Sequence, residues 1–388
     1  MAEVASIQRL IGPRLGTTAV FLVDGVGIGA WAACVPAIRR ALGLSDSALS
    51  LSLLAFAAGG IVAMPAASWL LTRLTSRRAT ILLATALALG MLLPGLARSL
   101  PVLVAAAFVF GMSKGALDVS MNTHAVAIQR AWGGPIMSSF HAAFSMGGLL
   151  GSIVMGFLFA QGFDVTTALG LMTVAALPVI ATAAVLVRGT APDPDVAAPA
   201  AAFAWPSRAL LGIGLLCFLS MLIEGGMADW SGVYLSTVTG AATATAAAGY
   251  AAFSMMMVAG RLGGDWTVRR LGDARVLRFG AGLAALGFAI ALGLGMPVPA
   301  MAGFALVGLG VSNIVPLLFS ASARSGSVAR STAIAMTATV GYAGFLLGPP
   351  IIGFAADHVG LQVALGVLLL AAAFIACFAV RATRSGSS

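Results

Sequence analysis

Residues 108–130 read FVFGMSKGALDVSMNTHAVAIQR, from Phe108 to Arg130, and they decide which solvent the chain must fold in. Most of the stretch is apolar, yet Lys114 and Asp118 stand one helical turn apart within it, followed by Asn122 and His124. Of the 388 residues, 60% are hydrophobic and only 9% are charged, and the mean hydropathy is +1.04. A soluble domain of this size needs far more charge to cover its surface. Lipid is therefore the solvent for most of the chain. Ionisable groups at bilayer depth cost several kcal/mol and mark a substrate or ion pathway, so this segment is expected to line one.

An apolar helix of about 20 residues crosses a hydrocarbon core about 30 Å thick. Twelve such segments occur, roughly at 17–40, 47–72, 79–97, 101–128, 136–160 and 166–187, then at 208–235, 243–267, 275–295, 298–321, 330–356 and 361–380. Their connections are short, except for TAPDPDVAAPAAAFAWPS at Thr190–Ser207, whose Pro and Ala content suits a linker. The expected fold is an all-α polytopic membrane protein with twelve transmembrane helices in two pseudo-symmetric six-helix bundles. Residues 1–187 form the first bundle, 188–207 a cytoplasmic linker and 208–388 the second bundle.

The formal net charge of +9 does not point to nucleic acid, because the arginines lie at the ends of apolar runs and form no stripe. An even number of spans places both termini on one side of the membrane. That side takes sixteen arginines, and the opposite side takes only Arg39, Arg40 and Arg98. The positive-inside rule then puts both termini in the cytoplasm, with the chain in a bacterial inner membrane. Arg9 and Arg14 ahead of an apolar run resemble a signal peptide, but Asp24 interrupts the run and its apolar character continues to Pro36, so an uncleaved first span is expected. Cys34, Cys217 and Cys377 lack metal or redox spacing and read as small hydrophobes. No cofactor or metal is expected, and the expected state is a monomer.

The two halves share features at an offset of 196 to 200 residues. Asp24-Gly25 followed by Trp31 recurs as Glu224-Gly225 followed by Trp230, and Gly148-Leu149-Leu150-Gly151 recurs as Phe345-Leu346-Leu347-Gly348. The basic loop Arg73–Arg78 recurs at Arg269–Arg275. A six-helix unit repeated in parallel is the layout of many secondary transporters, whose site lies at the repeat interface near the midplane.

On these features the chain resembles the major facilitator superfamily along nearly its whole length. The family's loop between helices 2 and 3 typically reads G-x-x-x-D-R-x-G-R-R. Trp69–Arg78 matches it at Arg77 and Arg78 but has Arg73 at the acidic position, and the second copy has Arg269 there. The resemblance makes Arg73, Arg77, Arg78, Asp265 and Arg269 gating-loop residues, with Asp265 or Asp273 replacing the missing acid. Leu117-Asp118-x-x-x-Asn122 is similar to the L-E-x-x-x-N segment of the fucose-permease-like branch, whose acid takes part in proton coupling. That branch's helix 1 acid has no direct match, because Ala32 and Ala33 precede Pro36 here and Asp24 lies two turns further toward the cytoplasm.

Polar residues concentrate in every third span: Asp24 in the first, Lys114, Asp118 and Asn122 in the fourth, Glu224 and Asp229 in the seventh, Asn313 in the tenth. Charged groups should face the bundle interior, and the family uses the same four helices as cavity walls. At 1.5 Å per residue, Asp24 lies about 10 Å in from the cytoplasmic face, and Lys114 and Asp118 about 20 and 25 Å from the outer face. Those depths overlap. Two readings stand: a structural ion pair sealing the bundle, or a network in which protonating Asp24 or Asp118 changes the partner of Lys114 and couples protons to transport. His141 is a candidate member, with helix packing as its competing use. Asn122, Glu224, Asp229, Trp31, Trp230 and Asn313 are the candidate substrate contacts, and an interface anchor is the competing reading of Asp229 and Trp230.

The glycine patterns Gly25-x-Gly27-x-Gly29 and Gly111-x-x-x-Gly115 read as close helix packing, since no βαβ unit surrounds them. Gly111-Met112-Ser113-Lys114-Gly115 matches a nucleophile-elbow pattern but lies in the middle of an apolar helix, so an enzyme is not expected. The expected function is a secondary active transporter that moves a small polar, sugar-like or organic solute by alternating access through proton-coupled uptake. A proton-driven multidrug or metabolite exporter is the alternative, and a passive channel or scramblase is a third class. Within the fifth span, Ser145–Ser152 has no proline and so lacks the antiporter signature of the family, which favours uptake.

Overall fold

A computed structural model describes residues 2–133, 136–188, 208–324 and 330–384. The linker expected at 188–207 lies outside the described residues apart from its first position. Every described element is helical. The first half contains α1 (Ala2–Leu42), α2 (Asp46–Arg73), α3 (Ser76–Gly90), α4 (Leu100–Trp132), α5 (Met137–Ala160) and α6 (Val165–Leu186). The second contains α7 (Arg208–Thr237), α8 (Thr243–Leu271), α9 (Asp273–Leu294), α10 (Pro297–Val311), α11 (Ile314–Ala323), α12 (Arg330–Val359), α13 (Leu361–Ala364) and α14 (Gly366–Arg384).

Local chemistry sets the helix ends. Thr75 caps α3 by accepting from the Arg78 amide at 3.4 Å, and Asp164 caps α6 by accepting from the Thr167 amide at 2.7 Å. That amide contact holds the Asp164 carboxyl below the ordinary carboxylate range. Pro101 and Pro297 occupy the first turns of α4 and α10, where no intrahelical N–H is needed. Gly133 ends α4 in the left-handed region at φ 76°. The expected tenth span is broken at Ser312–Asn313 into α10 and α11. Pro316 supplies no N–H for the Ser312 carbonyl one turn earlier, so the ladder is interrupted there.

Eleven helical segments among the described residues are long and apolar enough to cross a bilayer, with α10 and α11 counted together. The twelfth expected span, α8, has the length at 29 residues, but its Thr, Gly, Ser and Tyr content dilutes its apolarity. Large apolar side chains such as Phe157, Val174, Phe279 and Leu370 are exposed at 61%, 66%, 64% and 67%, as a lipid-facing surface requires.

The chain forms two compact units, one of Met1–Gly43 with Ala55–Ala197 and one of Leu44–Leu54 with Ala198–Ser388. In the first unit α1 packs against α5, α6 and α4, while α4 also packs on α3. The α1–α5 seam is glycine-lined, so the backbones approach closely. A Cβ on Gly25 would stand 1.9 Å from the Phe144 carbonyl oxygen, and one on Gly29 2.1 Å from that of Gly148. In the second unit α7 packs on α12 and α14, and α9 on α10 and α14. The start of α2 belongs to this second unit, where the Asp46 and Ser47 amides donate to Asp357 Oδ1 and Oδ2 at 3.0 and 3.2 Å.

Candidate functional site

Within the first unit, the Lys114 ammonium lies between two carboxylates. Its Nζ is 3.1 Å from Asp24 Oδ2 on α1 and 2.5 Å from Asp118 Oδ2, one turn along α4. Asp24 is fully buried, Lys114 is 14% exposed and Asp118 28%. The Asp118 contact follows from the i,i+4 spacing on one helix face. The Asp24 contact is tertiary and depends on how α1 and α4 dock. Lys114 Nζ also lies 5.2 Å from the centroid of the Phe144 ring on α5, within cation–π range. Asp24 Oδ1 makes no hydrogen bond among the described residues. Two acids and one base therefore meet in a largely dry setting, with the Asp118 side open.

Further along the same helices, Trp31 stacks on Phe56 at 5.5 Å and meets Phe110 edge-on at 6.1 Å, and Phe56 and Phe110 are 5.2 Å apart. Trp31 is 3% exposed, so it forms part of an aromatic wall rather than a ring open to solvent. Its indole Nε1 has no hydrogen-bond partner among the described residues. Asn122 donates to the Asp118 carbonyl at 2.8 Å on its own helix. His141 is exposed and meets Phe21 edge-on at 5.5 Å. His124 is buried with Nδ1 2.9 Å from Ser76 Oγ, beside a Thr80–Ser120 hydroxyl pair at 2.8 Å. These contacts form a polar seam joining α3 to α4.

In the second unit, Glu224 on α7 faces Arg261 on α8 at 3.7 Å, with both side chains about one-fifth exposed. Both residues fall inside expected spans, 208–235 and 243–267, but no spacing pairs them, because the pairing depends on the relative rotation of α7 and α8. Asp229 is half-buried and has no cation within ion-pair distance among the described residues. Trp230 is fully buried, which corrects its reading as an interface anchor, since an anchor keeps its N–H at the headgroups. Asn313 occupies the α10–α11 break and donates to the Gly260 carbonyl on α8 at 2.9 Å and to Ser312 Oγ at 3.0 Å.

The basic loops keep their repeat but in a different register. Arg73 stacks over Trp69 at 5.4 Å and Arg270 over Trp266 at 5.6 Å, each one turn along its helix. Arg270, not Arg269, is thus the geometric counterpart of Arg73, and Arg269 is exposed. The Arg78 amide serves the Thr75 cap, and Arg77 is half-buried. The side chain of Asp265 lies outside the described residues. Asp273 pairs with Arg324 at 2.7 Å on the surface. Among the described residues, no group of His, Cys, Asp and Glu could hold a metal ion.

The family model described as Major Facilitator Superfamily matches residues 16–326. An uncharacterized MFS-type transporter of Yersinia pestis is 38% identical over 382 residues, covering 98% of both chains. The membrane protein MosC of Rhizobium meliloti is 32% identical over 373 residues, covering 95% of this chain and 90% of that one. Among solved structures, a D-xylose–proton symporter has a TM-score of 0.72 at 14% identity, covering 95% of this chain and 96% of the symporter.

Proposed function

Starting from the fact that this chain belongs to the major facilitator superfamily, as a multi-pass transport protein for small molecules and not an enzyme, we propose that it is a proton-coupled importer of a small polar solute. The observation that carries the proposal is the Asp24–Lys114–Asp118 cluster. With both acids ionised, the three side chains sum to one negative charge in a low-dielectric setting, and one proton makes the sum zero. The charge change is therefore confined to a site where uncompensated charge is expensive. Asp118 is the open member, so a proton arriving there frees Lys114 to pair with Asp24 alone. Loss of the proton restores the three-way cluster. A switch between two pairings of one lysine is a bistable element that proton binding can bias, and alternating access needs such an element.

The solute class rests on the fucose-permease-like segment Leu117–Asn122 of the first unit and, separately, on the half-buried Asp229, Glu224 and Asn313 of the second, polar groups of the kind that suit hydroxyl-rich or small organic molecules. Uptake is favoured over export by the proline-free Ser145–Ser152. The sixteen-to-three arginine split supports a reading in which both termini face the cytoplasm of a bacterial inner membrane. Asp24, Lys114 and Asp118 carry the proton step, and His141, which meets Phe21 edge-on, is a further candidate member. Trp31 supports the wall behind the cluster.

The proposal is tested with purified protein in sealed vesicles. Solutes are first sorted by thermal shift across sugars, organic acids and hydrophobic drugs, and the best is then offered under an imposed pH gradient. Accumulation on the side opposite the acid compartment, abolished by a protonophore, is expected. Gradient-independent equilibration of the solute refutes proton coupling. A response only to hydrophobic drugs, expelled toward the acid side, refutes import.

A further inference from the structure

A cavity of about 360 Å³ opens at the other end of the same unit, lined by Ile11, Arg14, Leu15, Thr18, Trp132 and Ser139. It is formed by residues 11–18 of α1, the last residue of α4 and the start of α5. We propose that this cavity is a binding site for the headgroup of an acidic membrane phospholipid, with the phosphate on Arg14.

The argument begins with Arg14. Its guanidinium stacks 4.6 Å from the centroid of the Trp132 ring, and no carboxylate lies within ion-pair distance of it among the described residues. A planar cation held against an aromatic face keeps its N–H fork pointing outward, and that fork matches the geometry of a phosphate. The two hydroxyls in the lining make internal hydrogen bonds. Thr18 Oγ1 donates to the Arg14 carbonyl at 2.8 Å and Ser139 Oγ to the Ile136 carbonyl at 2.6 Å. Arg14 is therefore the charged donor left for a ligand, beside the indole N–H of Trp132, and its charge calls for an anion.

The apolar lining selects a lipid over a soluble anion. Ile11, Arg14, Leu15 and Thr18 are spaced 3, 4 and 7 residues from Ile11, so they lie on one stripe of α1. Ile11 is 46% and Leu15 55% exposed, so hydrocarbon surface lies beside the cation. A molecule that satisfies both at once carries its phosphate next to an alkyl chain. The depth agrees as well: Arg14 precedes Asp24 by ten residues, about 15 Å along the helix, which places it at the headgroup level. Trp132 beside it is the residue type that settles at that level. By the arginine count, the Arg73–Arg78 loop of the same unit is expected on this membrane face too, and basic pockets between helices on such a face bind acidic headgroups.

The test is native mass spectrometry of the full-length protein exchanged into an equal mixture of phosphatidylglycerol and phosphatidylcholine with identical acyl chains. Preferential retention of phosphatidylglycerol is expected. Arg14→Gln should lower that retention about fivefold, the scale of one basic residue at a charged lipid surface. Arg14→Lys should lie between the two, and Arg130→Gln, which changes an exposed arginine on the same face, should match wild type. Equal retention of the two lipids by wild type, or unchanged retention in Arg14→Gln, overturns the proposal. Should Arg14→Gln fail to accumulate, Arg14→Lys decides, and retention equal to wild type in that variant counts against the stacked guanidinium. An excess of inorganic phosphate should leave the retained lipid in place. Displacement by it would assign the cavity to a soluble anion and overturn the lipid reading.

Discussion

Replacing Lys114 with methionine keeps an unbranched side chain one heavy atom shorter and removes the charge from between Asp24 and Asp118. At the observed 3.1 Å and an effective dielectric of about 20, the Asp24 contact has a gross Coulomb energy of about 5 kcal/mol. Stripping one partner from a buried pair costs about 3–5 kcal/mol, because the remaining charge stays buried and unpaired. The cost falls mainly on Asp24, which is fully buried, and less on Asp118, which at 28% exposed is partly hydrated. Lys114→Met should therefore lose about 3–5 kcal/mol of stability at neutral pH. The double variant Asp24→Asn/Lys114→Met removes the orphaned charge and should recover about 2 kcal/mol or more. Acidification should narrow the Lys114→Met deficit, since protonating the carboxylates removes the same orphaned charge. The assay is denaturant and thermal unfolding of all four members of the cycle in one mild detergent, at neutral and at acid pH. Wild-type stability in Lys114→Met, or a double variant no better than that single one, would refute the reasoning.

Two further outcomes follow from the geometry. Gly25→Val places side-chain atoms where the Phe144 carbonyl oxygen already stands 1.9 Å from a would-be Cβ, so α1 must move away from α5. The cost is at least the roughly 1–3 kcal/mol of an overpacked core, read as a lowered unfolding temperature and reduced yield from membranes. Gly27→Ala, whose nearest neighbour would be the flexible end of Leu87 at 3.5 Å, should stay near wild type. For Asp164, the folded carboxyl titrates below its unfolded value. Its capping contribution is thus fully present above the unfolded pKa and is lost as pH falls through the folded one. The protection of the Thr167 amide against hydrogen exchange should therefore drop in acid in wild type, while Asp164→Ala should show low protection at every pH.

The helices were legible in the sequence because lipid imposes long apolar runs that a chain cannot hide. The exceptions have local causes. Span ten reads as continuous from hydropathy, but Pro316 breaks its ladder at Ser312–Asn313. Span eight is diluted by Thr, Gly, Ser and Tyr and falls short on apolarity despite its length. Within the candidate site, the Lys114–Asp118 pair could be read from spacing alone, since both residues lie on one helix. The approach of Asp24 followed only from a depth estimate. The Glu224–Arg261 pair and the Asp357 contact to the Asp46 and Ser47 amides had no sequence signal, because helix rotation and docking create them. The glycine pattern on α1 did signal close packing, and Gly25 and Gly29 meet the α5 backbone. The Arg73 repeat misled by one position. Aligning the arginines alone selected Arg269, whereas including the stacking tryptophans Trp69 and Trp266 would have selected Arg270.

Proton coupling through Asp118 is the central claim, and Asp118→Asn in sealed vesicles tests it most directly. The substitution preserves the shape of the side chain and removes the protonation event at the open side of the Lys114 cluster. Two assays run on the same preparation: accumulation driven by a pH gradient, and counterflow exchange of labelled for unlabelled solute without a gradient. The account predicts that accumulation is lost while exchange persists, because the solute path and the folded helices remain intact. Gradient-driven accumulation at the wild-type level in Asp118→Asn would contradict it and leave the Lys114 cluster a structural ion pair.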